Sequence, residues 1–220
     1  MILIKNGTII DPSCKREEKG DLLIADGKIA RIAPCGEIQE EGCEVIDATG
    51  MVVAPGLVDV HVHFRDPGFT YKEDIDTGAQ AALQGGFTSV VLMANTKPVV
   101  DNEETLDYVL EKGKNTPIHV YSCASVSKGL QGKELVDMAL LYSKGAAGFT
   151  DDGIPLLDVD ILEQAFVKAA SIGVPVRLHE ENPALISNNG VNSDIAQKKF
   201  GIGGSPREAE IDLIARDLDI

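Results

Sequence analysis

The sequence predicts an α/β fold, a (β/α)8 TIM barrel of which only about five strands are present, preceded by a small N-terminal β module. Three observations carry that expectation. After Pro55, apolar runs of strand length alternate with helical stretches at roughly 30-residue spacing, the rhythm of a parallel sheet with crossover helices. Before Pro55, short strands are separated by Asn-Gly and Asp-Gly pairs. Finally, polar residues gather directly after the apolar runs, at what would be one end of such a sheet. The expected division is a β-sandwich-like module over 1–54 and the N-terminal part of a (β/α) barrel over 55–220.

Composition narrows the function classes. Of 220 residues, 44% are hydrophobic and 25% charged, the mix of a chain that buries a real core. Twenty Lys plus Arg against thirty-five Asp plus Glu give a net charge of −15, which argues against nucleic acid or an anionic membrane as partner. No apolar run approaches the ~20 residues of a membrane span. Lys5, Asn6 and Gly7 interrupt the first apolar run, so no signal peptide is expected. Cys14, Cys35, Cys43 and Cys123 form no CxxC and read as reduced thiols. A soluble, acidic, cytoplasmic protein is expected.

Taken in order, residues 2–5 and 8–10 read as two strands joined at Asn6-Gly7, a pair suited to the positive φ angles of a type I′ hairpin. Residues 22–25 and 28–32 repeat the device around Asp26-Gly27. A third stretch, 44–47, runs through Thr49-Gly50 into 51–53. In the second part the expected strands are 57–60, 88–93, 118–121, 146–149 and 174–178. The expected helices between them are 74–84, 103–114, 133–143 and 158–171. Residues 180–204 read as a loop. Ser205, Pro206 and Glu208 then look like an N-cap, a first-turn proline and a capping-box acid opening a last helix. Five strands against the eight of a closed barrel lead to the expectation that the chain is cut in mid-barrel. Its two raw strand edges imply poor folding alone.

The strand ends carry the chemistry. His61 and His63 follow the first barrel strand, Asn95 the second, Asp151 and Asp152 the fourth, His179 the fifth. Residues i and i+2 of a strand face the same side, so His61 and His63 can share one cation. Imidazoles together with a carboxylate suit zinc or a similar divalent ion. His119, inside the third strand, reads as a core or inter-strand residue. Lys144 reads as a surface charge at a helix end. The glycine-rich 201–204 lacks the Lys-Ser/Thr of a P-loop.

Residues 55–68, Pro-Gly-Leu-Val-Asp-Val-His-Val-His-Phe-Arg-Asp-Pro-Gly, resemble the signature of cyclic amidohydrolases, and the Arg65-Asp66-Pro67-Gly68 end resembles dihydroorotases. Met93-Ala94-Asn95-Thr96 is similar to that family's Met-Pro-Asn-Thr, with Ala94 a departure; Phe149-Thr150-Asp151-Asp152-Gly153 is similar to its bridging-aspartate segment in the long bacterial type. The resemblance implies a site with two Zn2+ ions, His61 and His63 holding the first, Asp152 (or Asp151) bridging, and His179 holding the second. Substrate contacts would fall to His63, Arg65 and Asn95, the last two on a carboxylate, for which a planar guanidinium is apt. An ion pair of Arg65 with Asp66 is the competing structural reading. Glu181 or Glu180 would hydrogen-bond the metal-binding His179.

The implied reaction interconverts N-carbamoyl-L-aspartate and L-dihydroorotate. No catalytic residue is assigned within the chain, since the family's proton-transfer aspartate and a further histidine would lie beyond residue 220, and the chain alone is expected to be inactive. Hydantoinases, dihydropyrimidinases and allantoinases are the alternatives, disfavoured because no lysine stands at 149–152 and because Arg-Asp replaces the allantoinase Asn-Glu. A non-catalytic relative bound to aspartate transcarbamoylase is a further alternative. A homodimer is left open.

Overall fold

A computed structural model describes residues 1–220. The chain divides into two compact units, Met1–Leu57 and Val58–Ile220.

The first unit is a single mixed sheet built on β1 (Ile2–Asp11). β2 (Arg16–Ala25) pairs antiparallel with β1, and β3 (Lys28–Ala33) pairs antiparallel with β2. β4 (Glu44–Asp47) and β5 (Val52–Val53) both run parallel to β1, with Leu3 opposite Val45 and Thr8 opposite Val52. Asp26 and Gly27 have φ of +51° and +71°, the turn expected of their sequence. The Asn6-Gly7 hairpin is not formed. Only Asn6 has a positive φ, +64°, and the pair makes a bulge in a continuous β1. The buried Asp21 explains this: its carboxylate accepts the Asn6 and Gly36 backbone N–H groups at 2.9 and 2.8 Å. A Cβ on Gly7 would lie 2.5 Å from Val53 Cγ2, so only glycine fits there. The turn from β1 to β2 is made instead by Pro12–Cys14, capped by the Asp11 side chain. Leu3, Leu23, Ala33 and Ile38 form a small core.

The second unit repeats strand and helix. Its strands are β6 (Leu57–Val62), β7 (Phe87–Leu92), β8 (His119–Ser122), β9 (Phe149–Thr150) and β10 (Val176–Arg177). Its helices are α1 (Ile75–Gln84), α2 (Glu103–Gly113), α3 (Met138–Ser143), α4 (Val159–Ile172), α5 (Ser193–Phe200) and α6 (Glu208–Leu218). The strand order is β6-β7-β8, with β9 parallel to β10 and a parallel bridge from Ala124 to Phe149 joining the two groups. The five strands thus follow one another as in a barrel wall, without closing. Helix starts are fixed by Asp74, Asn102 and Asp158, whose side chains accept first-turn N–H groups. The main core lies between strands and helices, with Ile75, Leu106, Leu141, Phe149 and Leu162 almost fully enclosed, each stabilising by roughly 1.5–3 kcal/mol.

Several element boundaries differ from expectation. Residues 133–137 are not helical, because Val136 N–H donates to Val126 O at 3.0 Å and Lys128 N–H to Glu134 O at 2.8 Å, holding that segment extended until Asp137 caps α3. Residues 193–200, read as loop, form α5 between an Asn192 cap and Gly201 in the left-handed region. Ser205 is no N-cap: its N–H donates to Val191 O at 2.9 Å, and α6 begins only at Glu208. His119 is exposed, not core, since it alternates with the buried Val120 onto the opposite face of β8.

Candidate metal centre

His61 and His63 lie at and just after the end of β6 and, two residues apart, turn the same way. Their Nε2 atoms stand 3.3 and 3.2 Å from Asp152 Oδ1 and Oδ2, respectively. His179, just after β10, brings its Nδ1 to 3.5 Å from Asp152 Oδ1. Three imidazoles from two strands thus converge on one carboxylate that is 6% exposed, supplied by the turn after β9. His61, His63 and Asp152 offer donor atoms within 4.8 Å of one another.

The donor set fits a zinc-like ion. A tetrahedron with bonds of about 2.0–2.1 Å has edges of about 3.3 Å. The His61 and His63 nitrogens stand at about that length from the Asp152 carboxylate oxygens. The hydrogen bond from His63, reinforced by the charges of His61, His63 and His179, holds the Asp152 carboxyl below its ordinary pKa against the opposing effect of burial, so it stays an anion.

Surrounding groups orient the ligands. Asn95, after β7, places Oδ1 3.0 Å from His63 Nδ1, and its Nδ2 donates to Asp152 O and Oδ2 at 3.1 and 3.2 Å. An Asn95 oxygen accepting from Nδ1–H leaves His63 Nε2 free as a donor atom. Glu181 Oε2 lies 3.3 Å from His179 Nε2, the contact expected of one member of the acidic pair. Glu180 turns elsewhere; burial, then the neighbouring Asp217, push its carboxyl up to about 7.

Asp151 and Asp152 separate cleanly. Asp151 Oδ1 accepts the Val126 and Ser127 N–H groups at 2.7 and 3.1 Å, and its other oxygen accepts the Ser127 hydroxyl. It faces away from the histidines, and burial raises its pKa despite those bonds. Asp66 separates from Arg65 in the same way: the fully buried Asp66 pairs with Lys112, while Arg65 makes no side-chain hydrogen bond or ion pair. The Arg65–Asp66 pair therefore does not form. Lys144 is the surface charge expected, 2.8 Å from Glu103.

A cavity of about 660 Å³ opens beside His61, Asp152 and His179, walled in part by Asn192, Arg207 and Glu210. These wall residues lie in and after the segment read as loop, and nothing in their spacing announced them. Arg177 was also missed. Its Nη1 donates to Val60 O at 2.9 Å and reaches Cys123 Sγ at 3.1 Å, tying β10 to β6 beneath the ligands. Its position two residues before His179, at the end of an apolar run, was the available signal. Burial pushes the Cys123 thiol up to about 11, which keeps it inert.

Residues 50–220 match the protein family described as Dihydro-orotase-like. The chain is 54% identical over 217 residues to the dihydroorotase of Clostridioides difficile, covering 99% of this chain and 51% of that protein. It is 50% identical over 220 residues to that of Streptococcus pneumoniae, covering 100% of this chain and 52% of the relative. Among solved structures it resembles a D-hydantoinase (dihydropyrimidinase) from Thermus sp., with a TM-score of 0.72 at 27% identity over 100% of this chain and 49% of that one. The chain spans about half the length of the curated relatives it matches.

Proposed function

The chain belongs to the dihydro-orotase-like family, and from that premise we propose that the protein carrying it is a metal-dependent dihydroorotase of pyrimidine biosynthesis, interconverting N-carbamoyl-L-aspartate and L-dihydroorotate. The observation that carries the reading is the convergence of His61, His63 and His179 on the buried Asp152, two residues from an unpaired Arg65. No helix is long and apolar enough to cross a membrane.

In this reading His61, His63, Asp152 and His179 would hold two divalent ions, zinc by the chemistry of the donors. Such ions would supply a water acidified towards ~7 and Lewis-acid polarisation of a carbonyl. Arg65 takes the substrate's carboxylate in its planar fork. Asn95 keeps His63 and Asp152 oriented; on the resemblance, Asn95 would also meet the carboxylate and His63 the bound ring. Turnover belongs to a polypeptide about twice this length, as in the curated relatives, of which this chain spans about half. The reading extends, on the resemblance alone, to the cytoplasm, to a homodimer and to contact with aspartate transcarbamoylase.

The hydantoinase alternative has structural likeness in its favour. Against it, the strand end at Thr150-Asp151-Asp152 carries no lysine, and Lys144 is occupied by Glu103. The deciding experiment is turnover by the natural polypeptide with and without chelator. Dihydroorotate should be opened, zinc should restore activity after chelation, and His61→Ala should abolish it. Equal turnover of a hydantoin lacking the ring carboxylate would overturn the reading.

A further inference from the structure

Asp66 is fully buried and sits next to Arg65, yet the two do not pair. A buried carboxylate without a partner is strongly unfavourable, and the guanidinium one residue away is the cation nearest in sequence. Helix α2 supplies the partners instead. Lys112 Nζ lies 2.6 Å from Asp66 Oδ2 and the Tyr108 hydroxyl donates to Oδ1 at 2.9 Å, while Ile75 N–H at the start of α1 approaches Oδ2 at 3.4 Å. The loop bearing Arg65 is held from both sides. Phe69 N–H donates to Arg65 O at 2.9 Å, Lys97 N–H to Pro67 O at 3.1 Å, and a Cβ on Gly68 would lie 1.9 Å from Lys97 O. Arg65 itself has φ of +59°, a conformation that costs a non-glycine residue energy and that the fixed loop imposes.

We infer that Lys112 and Tyr108 are positioning residues that keep Asp66 occupied, so that the Arg65 guanidinium stays available for a carboxylate-bearing substrate. The inference rests on the reading of Arg65 as the carboxylate ligand. Neither α2 residue touches the metal centre. Their effect passes through a competition: whichever cation satisfies Asp66 is lost to other anions. The hydrogen bond to Asp66 raises the Lys112 pKa, which favours the charged ammonium.

The test is a set of variants in the natural polypeptide, read as KM and kcat for dihydroorotate with metal content measured in parallel. Lys112→Met should raise KM by about tenfold, with kcat and metal content little changed, as Asp66 draws on Arg65. Adding Asp66→Asn to Lys112→Met removes the competitor and should return KM most of the way, a rescue that mere loosening of the loop would not give. Lys112→Arg should also preserve KM. Should Lys112→Met fail to fold, Tyr108→Phe, which removes one hydrogen bond and no charge, should raise KM by about twofold to threefold. Arg65→Gln separates the two claims. A large KM increase for Arg65→Gln, with no effect of Lys112→Met or no rescue by Asp66→Asn, overturns the positioning role alone. An unchanged KM for Arg65→Gln overturns the carboxylate reading and the positioning role with it.

Discussion

Two loops at strand ends solve the same problem with different chemistry. After β6, Arg65 and Asp66 are neighbours; after β9, Asp151 and Asp152 are. In each pair one acid is anchored by partners from elsewhere in the chain, while its neighbour is not: Asp152 meets the histidines and Arg65 makes no side-chain hydrogen bond or ion pair. Asp66 is anchored by a lysine and a tyrosine from a helix, Asp151 by two backbone N–H groups and a serine from the loop after β8. Backbone donors are fixed by the fold and carry no net charge; with the Ser127 hydroxyl they lower the Asp151 pKa, but burial outweighs them and raises it. A lysine neutralises its partner but can be removed by one substitution. The first loop should therefore be tunable, and the second should fail as a unit.

The sharpest way to break the comparison is to exchange the roles within the second pair. Asp152→Asn should weaken zinc binding by more than about a hundredfold, measured by competition with a chelator, while the fold stays close to native. Asp151→Ala should do the reverse, costing about 3 kcal/mol in denaturant unfolding through the two orphaned backbone N–H groups, with the metal donors still in place. If Asp151→Ala abolished metal binding in folded protein, the division of labour would be wrong.

A smaller effect should come from the packing behind His63. A Cβ on Gly78 of α1 would lie 2.4 Å from the Phe64 ring, so Gly78→Ala should cost about 1–3 kcal/mol and shift the neighbouring histidine, read as a changed visible spectrum of the cobalt-loaded centre. The smallest effect sharpens the first loop. The folded pKa of Lys112 is raised by its hydrogen bond to Asp66, with Tyr108 and Asp76 also facing it. Its contribution is fully present below the unfolded value near 10.5 and is lost as pH rises above it. Thermal unfolding followed from pH 9 upward, on the order of one pH unit per step, should show that loss, and Lys112→Met should flatten it.

Much of this was legible in the residues. The alternation of apolar runs and amphipathic stretches gave β6 to β10 and most helices, since burial on a parallel sheet needs continuous hydrophobic strands. The His61 and His63 pair was legible because strand periodicity is local. Failures were equally physical. Asn6-Gly7 suits a hairpin or a bulge, and the choice lay with Asp21, fifteen residues on, which binds the Asn6 N–H. The helix predicted over 133–143 lost its first turn to pairing with 126–128, a contact that local propensity does not encode. The short α5 was missed although Asn192 and Gly201 mark its ends, because the glycines around it read as loop.

The sequence by itself determined which side chains could act: where the histidines, the acidic pair and the arginine stand relative to each strand end follows from local periodicity. Only the tertiary structure decided which member of each charged pair is anchored and which is left without those partners. Asp151 and Asp152, like Arg65 and Asp66, are adjacent in the chain, and what separates their roles is the set of partners that Val126, Ser127, Tyr108 and Lys112 bring from elsewhere. Burial of a charge has to be compensated by whatever the fold places against it, and that is a property of packing.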